Sequence, residues 1–149
     1  MTELQKVYDA FLVKMLDDEW DSWDLEDIEQ DWKGLLMGAL PWFKFPRVSL
    51  NIVTDDDGEE KFEEDLNNEE IQILASYMKC EWLNRTILTW ENVKPLYEER
   101  DFSQANLLDK FNQMLATEKK NEARLEAVYY RSINRQPFKY RYLASAIDD

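Results

Sequence analysis

The chain contains no histidine and a single cysteine, Cys80. The first absence removes serine–histidine and cysteine–histidine nucleophile pairs and the common imidazole zinc sites. The second removes any internal disulfide and any thiolate metal cage. Cys80 falls between Lys79 and Glu81 within a helical pattern and reads as a buried structural thiol rather than a reactive one. Glycine is scarce too, with three in 149 residues and none in a phosphate-cradling pattern, so no nucleotide-binding loop is expected. No apolar run approaches the ~18 residues of a membrane span. The opening Met-Thr-Glu-Leu-Gln-Lys lacks the charged-then-apolar order of a secretory signal. The expectation is a protein made and kept in a cytoplasm, with no cofactor, metal or catalytic residue and no membrane partner.

What is present is acid and aromatic surface. Six Trp, seven Tyr and seven Phe can bury large areas, which argues against general disorder in a chain long enough for one domain with a core. The charge is unevenly spread. Residues 1–70 hold 21 Asp+Glu against 6 Lys+Arg, a net of −15, whereas residues 71–149 hold 11 against 12, a net of +1. Such a division suits docking better than catalysis. Phosphate repels carboxylate, so non-specific nucleic-acid binding is disfavoured, while a passive wall beside DNA is permitted.

Along the chain, Thr2 with Gln5 fits a capping box, and Leu4, Val7, Tyr8, Phe11, Leu12, Met15 and Leu16 then recur on one helical face. A second helix is expected from Trp20 to Leu40, with Trp23, Ile28, Trp32, Leu35, Leu36 and Ala39 in the core and Gly38 and Pro41 ending it. From about residue 47 to 64 the period changes to two. Val48, Leu50 and Ile52 alternate into a strand, Asp57-Gly58 supplies a hairpin turn at two positions tolerating positive φ, and Lys61-Phe62-Glu63 returns. Asn67 and Glu70 form another capping box before the strongest helix, carrying Ile71, Leu74, Ala75, Met78, Trp82, Leu83, Ile87 and Trp90. Pro95 prevents its continuation. After a polar loop, Ser103 caps a long helix from about Gln104 to Arg131 with Leu107, Leu108, Phe111, Met114, Leu115, Leu125, Val128 and Tyr129 inward. Its middle, Glu118 to Arg124, is nearly all polar and is expected to leave the core.

Among candidate sites, 32 carboxylates make any one adjacent pair uninformative as an acid–base couple. Asp55, Asp57, Gly58 and Glu64 approach calcium-loop spacing, but Val53 stands at the first ligand position, so a hairpin turn is the better reading. Trp20, Trp23, Trp32 and Trp42 read mainly as core. Trp20 and Trp42, near helix ends, are the two that suit a partner contact. Beyond Gln136-Pro137, residues Phe138, Tyr140 and Tyr142 alternate with Lys139, Arg141 and Leu143. This tail is either an edge strand of the protein's own sheet or an arm that pairs with a neighbouring chain. Residues 119–141 carry seven Lys+Arg against two Glu, complementary to the acidic first half, so identical copies can be packed head to tail into a closing ring. Arg135, Phe138, Lys139, Tyr140, Arg141 and Tyr142 are the candidate partner-binding residues.

The stretch Asn68 to Arg131, with Glu70-Ile71, Leu74-Ala75, Met78, Glu81-Trp82-Leu83, Ser103-Gln104-Ala105-Asn106-Leu107-Leu108 and Tyr129-Tyr130-Arg131, resembles a family of small neck proteins. Those proteins come from the structural gene clusters of tailed bacteriophages, mainly of Gram-positive hosts. The residue pattern reads as a mainly α fold, a helical bundle over residues 1–135 with two long C-terminal helices and one small β-hairpin at about 47–64, followed by an extended C-terminal arm over 136–149, and the resemblance, whose members are small and largely helical with a docking C-terminal segment, fits that layout. The resemblance implies a head–tail connector, located in the virion neck and passing through the host cytoplasm during assembly. As a homo-oligomeric ring it would contact portal and neighbouring neck or tail proteins, and passing DNA only passively. The residue pattern also admits an acidic tail-assembly chaperone or a DNA-mimicking inhibitor of a host enzyme, although a mimic usually spreads its acid along the whole chain.

Overall fold

The computed structural model describes residues 1–15, 19–93 and 101–134. It is mainly helical, with four α-helices and one three-stranded antiparallel sheet among these residues. The order is β1 (Thr2–Glu3), α1 (Leu4–Lys14), α2 (Leu25–Ala39), a 3-10 turn (Leu40–Trp42), β2 (Ile52–Thr54), β3 (Glu60–Phe62), α3 (Asn68–Val93) and α4 (Asp101–Asn134). The expected arm, residues 136–149 together with Arg135, lies outside the described residues, as do Leu16 and Pro95.

Helix α3 is the axis of the molecule. It packs against α1, α2 and α4. Four consecutive residues, Ile73, Leu74, Ala75 and Ser76, are fully buried, which is possible only for a helix covered on every side. The expected capping box at its start is present in both directions. The Glu70 N–H donates to Asn67 Oδ1 at 2.8 Å, and the Asn67 N–H donates to Glu70 Oε1 at 2.9 Å. The α1 face is likewise as expected, with Leu4, Val7, Tyr8, Phe11 and Met15 buried. One buried cluster joins these residues to Leu35, Leu36 and Ala39 of α2, Phe62 of β3 and Tyr129 of α4.

Several expectations need correction. Thr2 does not cap α1. It sits in β1 opposite Phe62, and its hydroxyl donates to the Glu64 carbonyl at 3.1 Å and accepts from the Leu66 N–H at 2.8 Å. The start of the chain is thus spent on a third strand, giving the order β1-β3-β2 rather than an isolated hairpin. A lone two-stranded hairpin is marginal in water, and this extra strand together with buried Phe62 anchors it to the helices. The turn also differs. Asp57 keeps a negative φ, and among the described residues Gly58 alone has a positive one, +84°. Asp55 closes the loop: its backbone pairs with Glu59 and its carboxylate accepts the Asp57 and Glu59 N–H groups. This is a three-residue loop with glycine at the left-handed position.

Helix α2 begins at Leu25, not Trp20, with Asp24 as its N-cap residue. The preceding segment folds back so that Trp20 is buried and its indole N–H donates to Asp31 at 2.8 Å, while Trp23 is exposed. Asp31 also takes a bidentate contact from Arg85 of α3 at 2.6 and 3.1 Å. Helix α4 starts at Asp101, so Ser103 lies within it rather than capping it. The polar middle of α4 does not leave the core, because Glu118 and Glu122 are 4% and 8% exposed.

Candidate functional site

The residues chosen from sequence as partner-binding, Arg135, Phe138, Lys139, Tyr140, Arg141 and Tyr142, lie outside the described residues. The described structure offers two other features: an exposed acidic flank and a buried polar seam.

The flank comes from the first half. Asp21, Asp24, Glu26, Asp27 and Glu29 run along the approach to α2 and its first turns, and Asp56, Asp57, Glu59 and Glu60 surround the hairpin tip, all exposed. Acid in the first turn of α2 is favourable locally because it faces the positive end of the helix dipole. Between α1, α2 and the sheet lies an open groove of about 680 Å³ lined by Glu3, Glu26, Glu29, Glu59 and Glu60, with Lys33 and Lys61. Lys33 pairs with Glu60, and Lys61 pairs with Asp55 at 2.9 Å. The Lys61 ammonium and two backbone N–H groups hold the Asp55 carboxyl below the ordinary carboxylate range. Asp55 is therefore committed to its own turn. No group of three or more metal-ligating side chains is assembled among the described residues.

The seam runs between α3 and α4. The inward stripe of α4 passes through Phe111, Met114, Leu115, Glu118, Glu122, Leu125 and Tyr129, so two carboxylates occupy core-facing positions of an otherwise apolar face. Glu118 is satisfied: Ser76 donates to it at 2.6 Å and the Lys79 ammonium lies 3.4 Å away. Tyr77 donates to Glu126 at 2.6 Å, and burial with that contact pushes its phenol above the ordinary range. Glu122 is different, because its Oε1 is shut off from solvent and forms no well-aligned hydrogen bond among the described residues, the Tyr77 hydroxyl beside it being given to Glu126. Burial, reinforced by the neighbouring Glu126 carboxyl, pushes Glu122 up to about 7. Protonation turns an acceptor-only group into a donor toward Glu126, which relieves both the desolvation and the repulsion. Cys80, buried beside this group, is pushed up to about 12 by desolvation and by Glu118 and Glu122, so its thiol is neutral and inert.

At one end of the seam, Tyr129 ties three segments together. Its hydroxyl donates to Glu70 at 2.7 Å and accepts the Arg47 N–H at 2.8 Å. The Arg47 guanidinium lies 4.5 Å above the ring centroid and reaches the Tyr129 carbonyl at 3.0 Å. Sequence reasoning placed Tyr129 inward but gave no sign of Arg47, whose partner is 82 residues away. Beside the middle of α3, Trp42, with 56% of its surface exposed, donates its indole N–H to Glu81 at 2.9 Å. Of the two tryptophans read as possible partner contacts, Trp42 is available at the surface and Trp20 is not.

No helix among the described residues is long and apolar enough to cross a membrane. No family model, no curated protein and no solved structure matches this chain.

Proposed function

We propose that the chain is a structural, non-enzymatic virion protein: a head–tail connector or neck adaptor of a tailed bacteriophage. In this reading it assembles as a ring between portal and tail, leaves a passage for DNA, and occupies the virion neck after assembly in the host cytoplasm. The observation that carries the reading is the segregation of charge, −15 in residues 1–70 against +5 in residues 119–141. A copy presenting its acidic flank to the basic end of the next has a heterologous contact, and such a contact gives a ring where the rotation between neighbours closes. The exposed carboxylates of α2 and the hairpin supply either that contact or a wall that does not hold DNA. Most of the stretch that resembles neck proteins, Asn68 to Arg131, falls in the packed pair α3 and α4, from whose end a C-terminal segment would be presented. Phe138, Tyr140 and Tyr142 would give a neighbour contact most of its affinity, and Arg135, Lys139 and Arg141 its register.

The test is self-association of the full chain against a form lacking residues 136–149, followed by light scattering after size separation. The reading expects the deletion to yield monomers, and Tyr140→Asp to weaken ring attachment in particles. Assembly that survives the deletion unchanged removes the arm from the mechanism.

A further inference from the structure

Helix α4 sorts its charges by side. Glu118, Glu122 and Glu126, spaced one turn apart, face α3, where Ser76 and Lys79 hold the first and Tyr77 the last. The cations face the other way. Lys120, Arg124 and Arg131 share one stripe opposite that seam, about 16 Å long, and all three are exposed. None of them forms an ion pair among the described residues. Three or four residues away, where a carboxylate would neutralise them, Lys120 and Arg124 meet Ala116, Thr117, Asn121, Ala123, Ala127 and Val128, and each other. A chain with 32 Asp+Glu against 18 Lys+Arg thus keeps one helix face free of acid.

We propose that this face of α4 docks in the acidic groove between α1, α2 and the sheet of a second copy. The contact rests on the head-to-tail reading above and puts its basic side on α4 itself, apart from the arm. Charge complementarity selects the occupant. In the groove Lys33 and Lys61 are taken by Glu60 and Asp55, while Glu3, Glu26, Glu29 and Glu59 are exposed and form no ion pair among the described residues. An open groove of about 680 Å³ admits long cationic side chains reaching out from a helix. The two surfaces cannot meet within one molecule. Helix α4 packs against α3, α1 and α2 cover other sides of α3, and the stripe points away from that body. The chain's own tail does not suit the stripe either, because residues 135–141 add three cations and no acid. A nucleic acid is the other polyanion of matching sign, but a net charge of −14 opposes its approach.

Exposed ion pairs are individually weak, so the stripe acts through several at once and sets register and encounter rate. Salt screens such a contact. Reversing the charge on one side turns attraction into repulsion. Reversing the two sides in separate molecules restores it, because an acidic α4 then meets a basic groove, and the unaltered pair of surfaces meets as before.

The experiment is sedimentation velocity of the full chain at about 50 and about 300 mM salt, with two charge-reversed forms. One carries Lys120→Glu and Arg124→Glu, the other Glu26→Lys and Glu29→Lys, and circular dichroism checks that both keep their helices. Parent self-association should weaken about tenfold at the higher salt. Each reversed form alone should lose at least about tenfold in association, and their equimolar mixture should return to within about threefold of the parent. A parent that associates while both reversed forms match it overturns the groove contact and leaves head-to-tail packing to the arm. A parent that stays monomeric overturns both. A mixture that associates no better than its components overturns the pairing of these two surfaces. Binding of a DNA duplex that is lost in the Lys120→Glu, Arg124→Glu form, with self-association unchanged, assigns the face to nucleic acid and overturns the second copy.

Discussion

Replacing Glu122 by glutamine should stabilise the protein at pH 8 and leave it nearly unchanged at pH 4.5. In the folded chain Glu122 titrates at about 7, and in the unfolded chain near the ordinary 4.5. Between those values the native state holds a proton that the unfolded state has released, so stability falls as pH rises through this window. Below it the group contributes nothing, and above it the full penalty is present. The interval corresponds to about 3 kcal/mol, and screening by water beside the partly buried Glu126 reduces it to about 2 kcal/mol. Glutamine keeps the side-chain volume, carries no charge, and offers the amide donors that a protonated carboxyl would direct at Glu126. The assay is urea unfolding of both proteins at pH 4.5, 6 and 8. Taking the difference between them at each pH cancels the repulsion that a net charge of −14 contributes to both. The expected gain is about 2 kcal/mol at pH 8 with unchanged m, seen also as a rise of about 4–8 °C in Tm. A variant less stable than the parent at pH 8, or a difference that does not vary with pH, refutes the assignment of a buried, proton-holding carboxyl.

Three further substitutions test the frame of the fold. Tyr129→Phe leaves Glu70 and the Arg47 N–H without their shared hydroxyl and should cost about 2 kcal/mol in chemical unfolding. Asn67→Ala removes one half of the reciprocal cap on α3 and should cost about 1 kcal/mol, with helix content otherwise kept by circular dichroism. Gly58→Ala forces a side chain to a φ of +84° and should cost about 1–2 kcal/mol by thermal unfolding, although nothing crowds the added methyl.

Much of the helical frame was legible because its signals are local. The α1 face, the inward residues of α3 and the Asn67–Glu70 cap each depend on residues within a turn or two of one another. The misreadings at Thr2, Trp20 and the middle of α4 have a different origin, since each involves a polar group whose partner lies elsewhere in the sequence, whereas the turn at Asp57 and the start of α4 were misread locally. Thr2 satisfies a capping pattern, yet its hydroxyl serves Glu64 and Leu66. Trp20 fits a helix start, but its burial depends on Asp31, itself fixed by Arg85 on another helix. Glu118 and Glu122 looked solvent-facing by polarity alone, while their spacing from Phe111, Leu115 and Leu125 already placed them on the inward stripe of α4. Period was the better guide there. The meeting of Trp42, Glu81 and Glu122 could not be read from the sequence, because only the packing of three segments brings them together.

A connector occupies a fixed place in the assembled particle. The decisive experiment is quantitative mass spectrometry of purified virions, counting copies of this chain against the portal protein. The connector reading requires a small, constant number per particle close to the portal's own count. Absence from intact particles that nevertheless carry portal and tail would contradict it and transfer the case to an assembly chaperone or an acidic inhibitor.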